Sequence, residues 1–286
     1  MIDARAGAIA DWATAEYVTA LNDQDPARLK PFFEEGSKRA AETLRANFDM
    51  AYGPDARHRI DLFHADNDGP SPLLIFFHGG YWKANSKDSR RFIAETWVER
   101  GISVALVNYR LAPNATLPEI VDDARKAVAW LVDYAGQLGL DARRVIVSGN
   151  SAGGQLGAMV LAGDWRLDYG IEAWAPRGGV LLSGLYDLRP LLSTPLAQDL
   201  RLDMASATAA SPLVVGPACA PVTILVGGKE SDAFKAQSQA YHWFTRAAGT
   251  DSDYAEIGGH DHFSIIAELG DRHSEVGSAV EKHLTS

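Results

Sequence analysis

Val145-Ile146-Val147-Ser148-Gly149-Asn150-Ser151-Ala152-Gly153-Gly154 is the stretch that decides the fold. Its first four residues read as a short strand. Gly149 to Gly153 form a Gly-x-Ser-x-Gly turn, and the small residues of 152–162 read as a helix directly behind it. A strand that turns sharply into a helix forces its central residue into a strained backbone conformation. Glycines two before and two after it keep neighbouring elements from clashing, which is the physical reason for Gly149 and Gly153. The turn lifts the Ser151 hydroxyl above the sheet, and the amino end of the following helix favours developing negative charge there. The bare pattern arises by chance in many chains, so the strand before it and the helix after it carry the argument. Ser151 is the candidate nucleophile.

The texture on either side agrees. Residues 57–64 alternate as a half-buried strand should, and 73–77 are a continuous apolar run that ends at His78-Gly79-Gly80. Residues 88–101 read as a helix ending at Gly101, and 102–108 as another buried strand. In 118–135, Ile120, Val121, Ala124, Ala127, Val128, Leu131 and Val132 recur at three- and four-residue spacing, giving a helix with one apolar face. Further strands are expected at 179–183, 222–226 and 254–257, and helices at 235–248 and 275–284. Continuous apolar runs suit strands covered on both faces. Their alternation with helices implies an α/β fold: a mostly parallel central sheet flanked by helices. Residues 1–50 read as mostly helical and 1–56 as a helical N-terminal extension, punctuated by Pro26 and Pro31. Residues 185–220 carry Pro190, Pro195, Pro212 and Pro217 among short helical pieces and read as a small lid. The whole chain, 1–286, reads as a single domain without repeats.

Composition bounds the partners. The 286 residues are 47% hydrophobic and 22% charged, enough for a large core. A formal net charge of -10 repels nucleic acid on average. Cys219 is the single cysteine, which excludes an internal disulfide and a cysteine-based metal site. Residues 1–18 lack the apolar segment with basic flanks of a signal peptide, and no apolar run reaches the ~18 residues of a membrane helix. The expectation is a soluble cytoplasmic protein acting on a small molecule, with no nucleic-acid or membrane partner; a homodimer is compatible with the sequence.

In open α/β sheets the active site lies at the carboxyl ends of the strands, so the residues after each strand matter most. His78-Gly79-Gly80-Tyr81-Trp82 follows the 73–77 strand. Backbone N–H groups of Gly79 and Gly80, with that of Ala152, are candidate donors to the oxyanion of a tetrahedral intermediate. His78 reads as a brace for this loop rather than a base. Tyr81, Trp82 and Tyr186 are candidates for an aromatic substrate pocket, against plain core packing. Gly258-Gly259-His260-Asp261-His262-Phe263 follows the 254–257 strand. His262 is favoured as the base because Phe263 and a helix over 264–269 would anchor its ring; His260 is the alternative. A His-x-His pair also suits metal, but no second cluster of ligand residues stands at matching spacing. The 222–226 strand ends in Gly227-Gly228-Lys229-Glu230-Ser231-Asp232. Glu230, nearer the strand end, is favoured as the orienting acid, with Asp232 as the other candidate. The order serine, acid, histidine is that of the α/β-hydrolase version of the triad.

Five elements carry a family likeness: His78-Gly79-Gly80-Tyr81-Trp82, Asn108-Tyr109-Arg110-Leu111-Ala112-Pro113, Gly149-Asn150-Ser151-Ala152-Gly153-Gly154, Ser183-Gly184-Leu185-Tyr186-Asp187-Leu188 and Asp261-His262-Phe263. From about residue 57 to its end the chain resembles the α/β-hydrolase superfamily. Within it, the first and fourth elements resemble the kynurenine formamidase (arylformamidase) group. The resemblance implies Ser151 as nucleophile, His262 as base, an acid at the Glu230 position and no metal or organic cofactor. It implies N-formyl-kynurenine as substrate, with a short-chain carboxylesterase or other amidase as the alternative; a non-catalytic binding module is remote, since all three triad candidates are present. Tyr81 stands where many lipases and esterases of the superfamily have a third glycine, which implies poor activity on bulky tertiary-alcohol esters.

Overall fold

All residues of four strands are buried: Ser71–Phe77 (β3), Ser103–Val107 (β4), Gly178–Leu182 (β6) and Val222–Gly227 (β7). Runs this apolar are stable as strands only when helices cover both faces. The computed structural model, which describes residues 2–19, 21, 24–171 and 176–285, provides that cover. The remaining strands are Ala46–Ala51 (β1), Arg59–Phe63 (β2), Leu140–Asn150 (β5) and Ser252–Ile257 (β8). Together they form one sheet in the order β1-β2-β4-β3-β5-β6-β7-β8. β1 and β2 run antiparallel to their neighbours, and every pair from β4 to β8 is parallel.

The main helices are α1 (Ile2–Thr14), α2 (Lys30–Thr43), α3 (Ile93–Val98), α4 (Leu117–Asp133), α5 (Ala152–Leu161), α6 (Asp232–Ala247) and α7 (Glu275–Thr285). One face of the sheet, with Ile75, Phe77, Val147, Leu181 and Ile224, packs with Ile120 and Ala124 of α4, Leu156 of α5 and Phe234 of α6. The other, with Leu74, Phe76, Ile146, Val180 and Leu225, packs with Trp97 of α3 and Val276 and Val280 of α7. The alternation of these residues along each strand is the period-two geometry of extended chain. α4 starts as its sequence demands, with a Thr116–Glu119 capping box and Pro118 in its first turn.

After β3 the chain moves to β4 on one side, then crosses back to β5 on the other. The reversal therefore falls between β3 and β5, where Phe77 is in register with Gly149. A sheet of this kind opens a ligand crevice at that point, outside the carboxyl ends of the strands.

The structure corrects three sequence expectations. The extension read as helical over 1–56 contains β1, antiparallel to β2; its residues are largely exposed, so an edge strand shows no apolar alternation. The helix expected over 88–101 is broken into a 3-10 turn, Lys87–Arg90, and α3. The break follows the side chains: Lys87 and Arg91 both turn onto buried Asp61, at 2.8 and 2.7 Å. The helix expected over 264–269 is a 3-10 helix, Ser264–Gly270. Residues 185–220 form short pieces, Arg189–Ser193, Leu196–Asp199, Met204–Ala209 and Pro212–Val215. The helical reading of residues 1, 20, 22 and 23 lies outside the described residues.

Candidate active site

Ser151 sits between the last residue of β5 and the first of α5, with φ 56° and ψ -120°. Non-glycine residues seldom adopt such a backbone, and they persist there only when the surroundings hold them. The hold is visible. The Ser151 N–H donates to Leu182 O at 2.8 Å. A Cβ added to Gly149 would meet Gly153 O at 2.3 Å, and one on Gly153 would meet Phe77 O at 1.9 Å. Neither position admits a side chain, so the sharp turn is written into the two glycines.

The loop after β3 lies against this turn: a Cβ on Gly79 would come within 3.1 Å of Ser151 Cβ. Of the three expected oxyanion donors, the structure removes one. The Gly79 N–H is already given to Asn150 Oδ1 at 3.2 Å, so Gly79 contributes close approach rather than a free donor. Among the described residues the N–H groups of Gly80 and Ala152 have no hydrogen-bond partner. Three successive residues of the loop take positive φ: Gly80 at 123°, Tyr81 at 49° and Trp82 at 54°. Side chains hold this path. Trp82 Nε1 donates to Gln155 Oε1 at 2.9 Å, Gln155 Nε2 donates to Ala210 O at 2.8 Å, and the Tyr81 hydroxyl donates to Tyr17 O. His78 stacks on Tyr109 with ring centroids 4.4 Å apart and bonds through Nδ1 to Gly79 O. Burial pushes its pKa down to about 3, which suits a neutral brace and not a base.

Two of the three expected pocket aromatics are core residues. Trp82 and Tyr186 are both 0% exposed. Tyr186 stacks face to face on Tyr241, with centroids 4.6 Å apart. Tyr81 is partly exposed. Ring size suggested a pocket from the sequence, but the same apolar area fills the interior, Trp82 beside Gln155 of α5 and Tyr186 on Tyr241 of α6.

The acid and base candidates come together. His262 Nδ1 lies 2.7 Å from Glu230 Oε2, with both side chains buried. Glu230 Oε1 accepts from Gly227 N at 2.7 Å and from Ser183 Oγ at 2.5 Å. The His262 ring packs on Phe234, centroids 4.8 Å apart. The alternatives point elsewhere: His260 Nε2 faces Glu268 at 3.6 Å, and Asp232 is exposed at the start of α6. No hydrogen bond joins Ser151 Oγ to the imidazole among the described residues. The N-terminal segment reaches the base loop, with Gln24 Oε1 accepting from the His262 N–H at 3.0 Å and Arg28 paired with Asp261. Asn150, Gln155, Ser183 and Gln24 were given no role by the sequence reading. Of these, Asn150 and Ser183 had a signal, their places in the Gly149–Gly154 and Ser183–Leu188 elements. Among the described residues, no group of three or more His, Cys, Asp or Glu is arranged to hold a metal ion and no helix is long and apolar enough to cross a membrane.

Comparisons with known proteins agree with this architecture. Residues 74–265 match the family described as the α/β hydrolase fold. A kynurenine formamidase of Danio rerio is 33% identical over 246 residues, spanning 83% of this chain and 82% of that protein. An esterase of Mycobacterium tuberculosis, LipQ, is 29% identical across 78% of this chain and 59% of its own length. A solved structure from a Silicibacter species, provisionally described as a thioesterase, superposes with a TM-score of 0.80 at 30% identity, covering 93% of this chain and 97% of that one. A strained serine at the sheet's crossover point, a carboxylate–imidazole pair two and three strands away, and these matches lead to one conclusion: the chain is a hydrolase and belongs to the α/β-hydrolase family.

Proposed function

We propose that the protein is an arylformamidase that hydrolyses N-formyl-kynurenine to kynurenine and formate through Ser151, His262 and Glu230. The 2.7 Å bond between Glu230 Oε2 and His262 Nδ1 supports this reading most. A carboxylate on Nδ1 fixes the tautomer that leaves Nε2 free to accept a proton. In the first half-reaction, Ser151 Oγ attacks the formyl carbon while its proton passes to His262 Nε2. The N–H groups of Gly80 and Ala152 face the oxyanion. The imidazolium then protonates the departing aryl amine, and a formyl ester remains on Ser151. In the second half-reaction, water gives a proton to His262 and attacks the ester; as the intermediate collapses, the imidazolium returns that proton to Ser151 Oγ, and formic acid leaves and ionises to formate. No cofactor enters either step. We take the reaction to run in the cytoplasm, as a step of tryptophan catabolism.

The formamidase relatives, matched across most of both chains, favour a formamide substrate. The second reading is a short-chain carboxylesterase, favoured by the esterase relatives and by the thioesterase-like structural neighbour. A substrate panel separates them: purified protein is given N-formyl-kynurenine and p-nitrophenyl acetate side by side. A formamidase turns over the first with the higher kcat/KM. Brisk ester cleavage with no release of kynurenine overturns the formamidase reading and leaves the esterase. Ser151→Ala abolishes both activities with the fold intact; substantial residual turnover contradicts its role.

A further inference from the structure

Ser183 follows β6 directly, and its φ of 51° lies in the left-handed region. It is fully buried. A serine held in that conformation, inside the protein, calls for a reason. The reason lies in what the turn does with the hydroxyl. Ser183 Oγ donates to Glu230 Oε1 at 2.5 Å, while the Ser183 N–H ties the turn to Leu225 O of β7 at 2.7 Å. One residue earlier, Leu182 O accepts the N–H of Ser151 at 2.8 Å. The end of β6 thus grips the nucleophile's backbone on one side and the acid's carboxylate on the other.

The carboxylate needs the grip. Glu230 Oε1 takes two donors, Gly227 N and Ser183 Oγ, and Oε2 takes His262 Nδ1. Gly227 N alone leaves the carboxylate free to pivot about that bond. The hydroxyl is the second point that sets its plane. We propose that Ser183 is a positioning residue, whose hydroxyl fixes the Glu230 carboxylate so that Oε2 meets His262 Nδ1. The proposal rests on the triad reading above.

The donor also tunes the pair. A hydrogen bond to a carboxylate stabilises its charge and lowers its basicity. Without it, Glu230 holds the imidazolium more strongly, which a pH–rate profile reads on its acid limb. The tyrosines and Asp261 around the pair keep one charge state near neutrality. Burial raises the pKa of Tyr81, Tyr186 and Tyr254. Against its own burial, Asp261 is held below the usual carboxylate range by hydrogen bonds from Ser264 and Arg28. His260 faces Glu268 on the 3-10 helix instead.

The test uses Ser183→Gly and Ser183→Ala in the full chain, with p-nitrophenyl acetate as substrate and an organophosphate to count active sites. Glycine takes the left-handed backbone without strain, so Ser183→Gly is expected to melt within about 3 °C of the parent. Its kcat per active site should nevertheless fall about tenfold, with KM unchanged and the acid limb of kcat/KM moved to higher pH. Ser183→Ala should show the same kinetic loss with a lower melting point. In a Glu230→Ala background, Ser183→Gly should cost nothing further. Wild-type kcat and an unmoved acid limb in Ser183→Gly, while Glu230→Ala is crippled, overturns the positioning role and leaves the triad standing. A loss that vanishes once active sites are counted assigns Ser183 to folding alone and also overturns it. Full activity in Glu230→Ala removes the triad reading itself, and the proposal with it.

Discussion

Replacing Gly153 by alanine adds one carbon, and its position is known. It would stand 1.9 Å from Phe77 O, 2.6 Å from Phe77 C and 2.9 Å from His78 O. All three are backbone atoms, so no rotamer change relieves the clash. Real Cβ atoms essentially never approach closer than 3.0 Å, so α5 and the end of β3 must part by about 1.1 Å. Overpacking a dense core costs ~1–3 kcal/mol, and with rigid backbone on both sides the expected loss is at the upper end, about 3 kcal/mol. The better helix propensity of alanine returns only ~0.5–1 kcal/mol. Ser151 stands two residues earlier and moves with the helix. Misplacement by about 1 Å can lower turnover ~100-fold. Urea unfolding reads the first loss, and p-nitrophenyl acetate hydrolysis per folded molecule reads the second. Gly136→Ala is the control: its Cβ would meet nothing within 4 Å, so it should gain ~0.5 kcal/mol and keep its activity. If Gly153→Ala stays within about 0.5 kcal/mol of the parent and retains most of its turnover, the elbow does not need bare backbone at that point, and the steric account fails.

Three other outcomes follow from buried polar groups. Gln155→Leu strands the Trp82 indole N–H and the Ala210 carbonyl, both bonded to Gln155 now; at ~1–3 kcal/mol per orphaned group, unfolding should become easier by about 3 kcal/mol, and a loss under about 1 kcal/mol would mean the loop is held by other means. Lys87→Met removes a cation lying 2.8 Å from both Asp49 and Asp61, the latter fully buried; the expected cost is ~3–5 kcal/mol, and Asp61→Asn should recover part of it in a double variant. Stability should fall with acid from pH 6.5 downward, because burial lowers the pKa of His78 to about 3 and of His283 to about 4. Between those values and 6.5 the unfolded chain binds protons that the folded chain refuses. Stability is therefore complete above 6.5 and is lost on acidification, by about 1.4 kcal/mol per pH unit for each histidine. A flat urea midpoint from pH 6.5 to 4.5 would show that these rings protonate within the fold.

The elements legible in the sequence are those whose packing imposes a period. β3, β4, β6 and β7 are buried along their whole length, and α4 shows its apolar stripe, so each could be read directly. β1 could not, because an exposed edge strand imposes no alternation. The broken helix over 88–101 was hidden because its cause, the pull of Asp61 on Lys87 and Arg91, acts across the sheet edge. At the site, Ser151, Glu230 and His262 were nameable because strand ends and glycines mark them. The Gly79 amide was misjudged because its partner, Asn150 Oδ1, belongs to another strand end. Ser183 was invisible as chemistry, since a small polar residue after a strand is the commonest of sights. For Trp82 and Tyr186 the sequence leaves pocket wall and core packing both open, because large rings look alike whether they meet a ligand or each other.

The first thirty residues and the last sixty are joined at the site. Glu16 accepts from Ser231 Oγ and Ala233 N, Tyr17 O–H accepts from Gln237 Nε2, and Gln24 accepts from the amide of His262. On the ribosome the earlier group emerges long before the later one exists. A nascent chain therefore carries its serine elbow in waiting until the segment that holds His262 has emerged. For the experimenter the same geography means that deletions that remove Glu16, Tyr17 and Gln24 will register as changes in turnover rather than as cosmetic alterations to a tail.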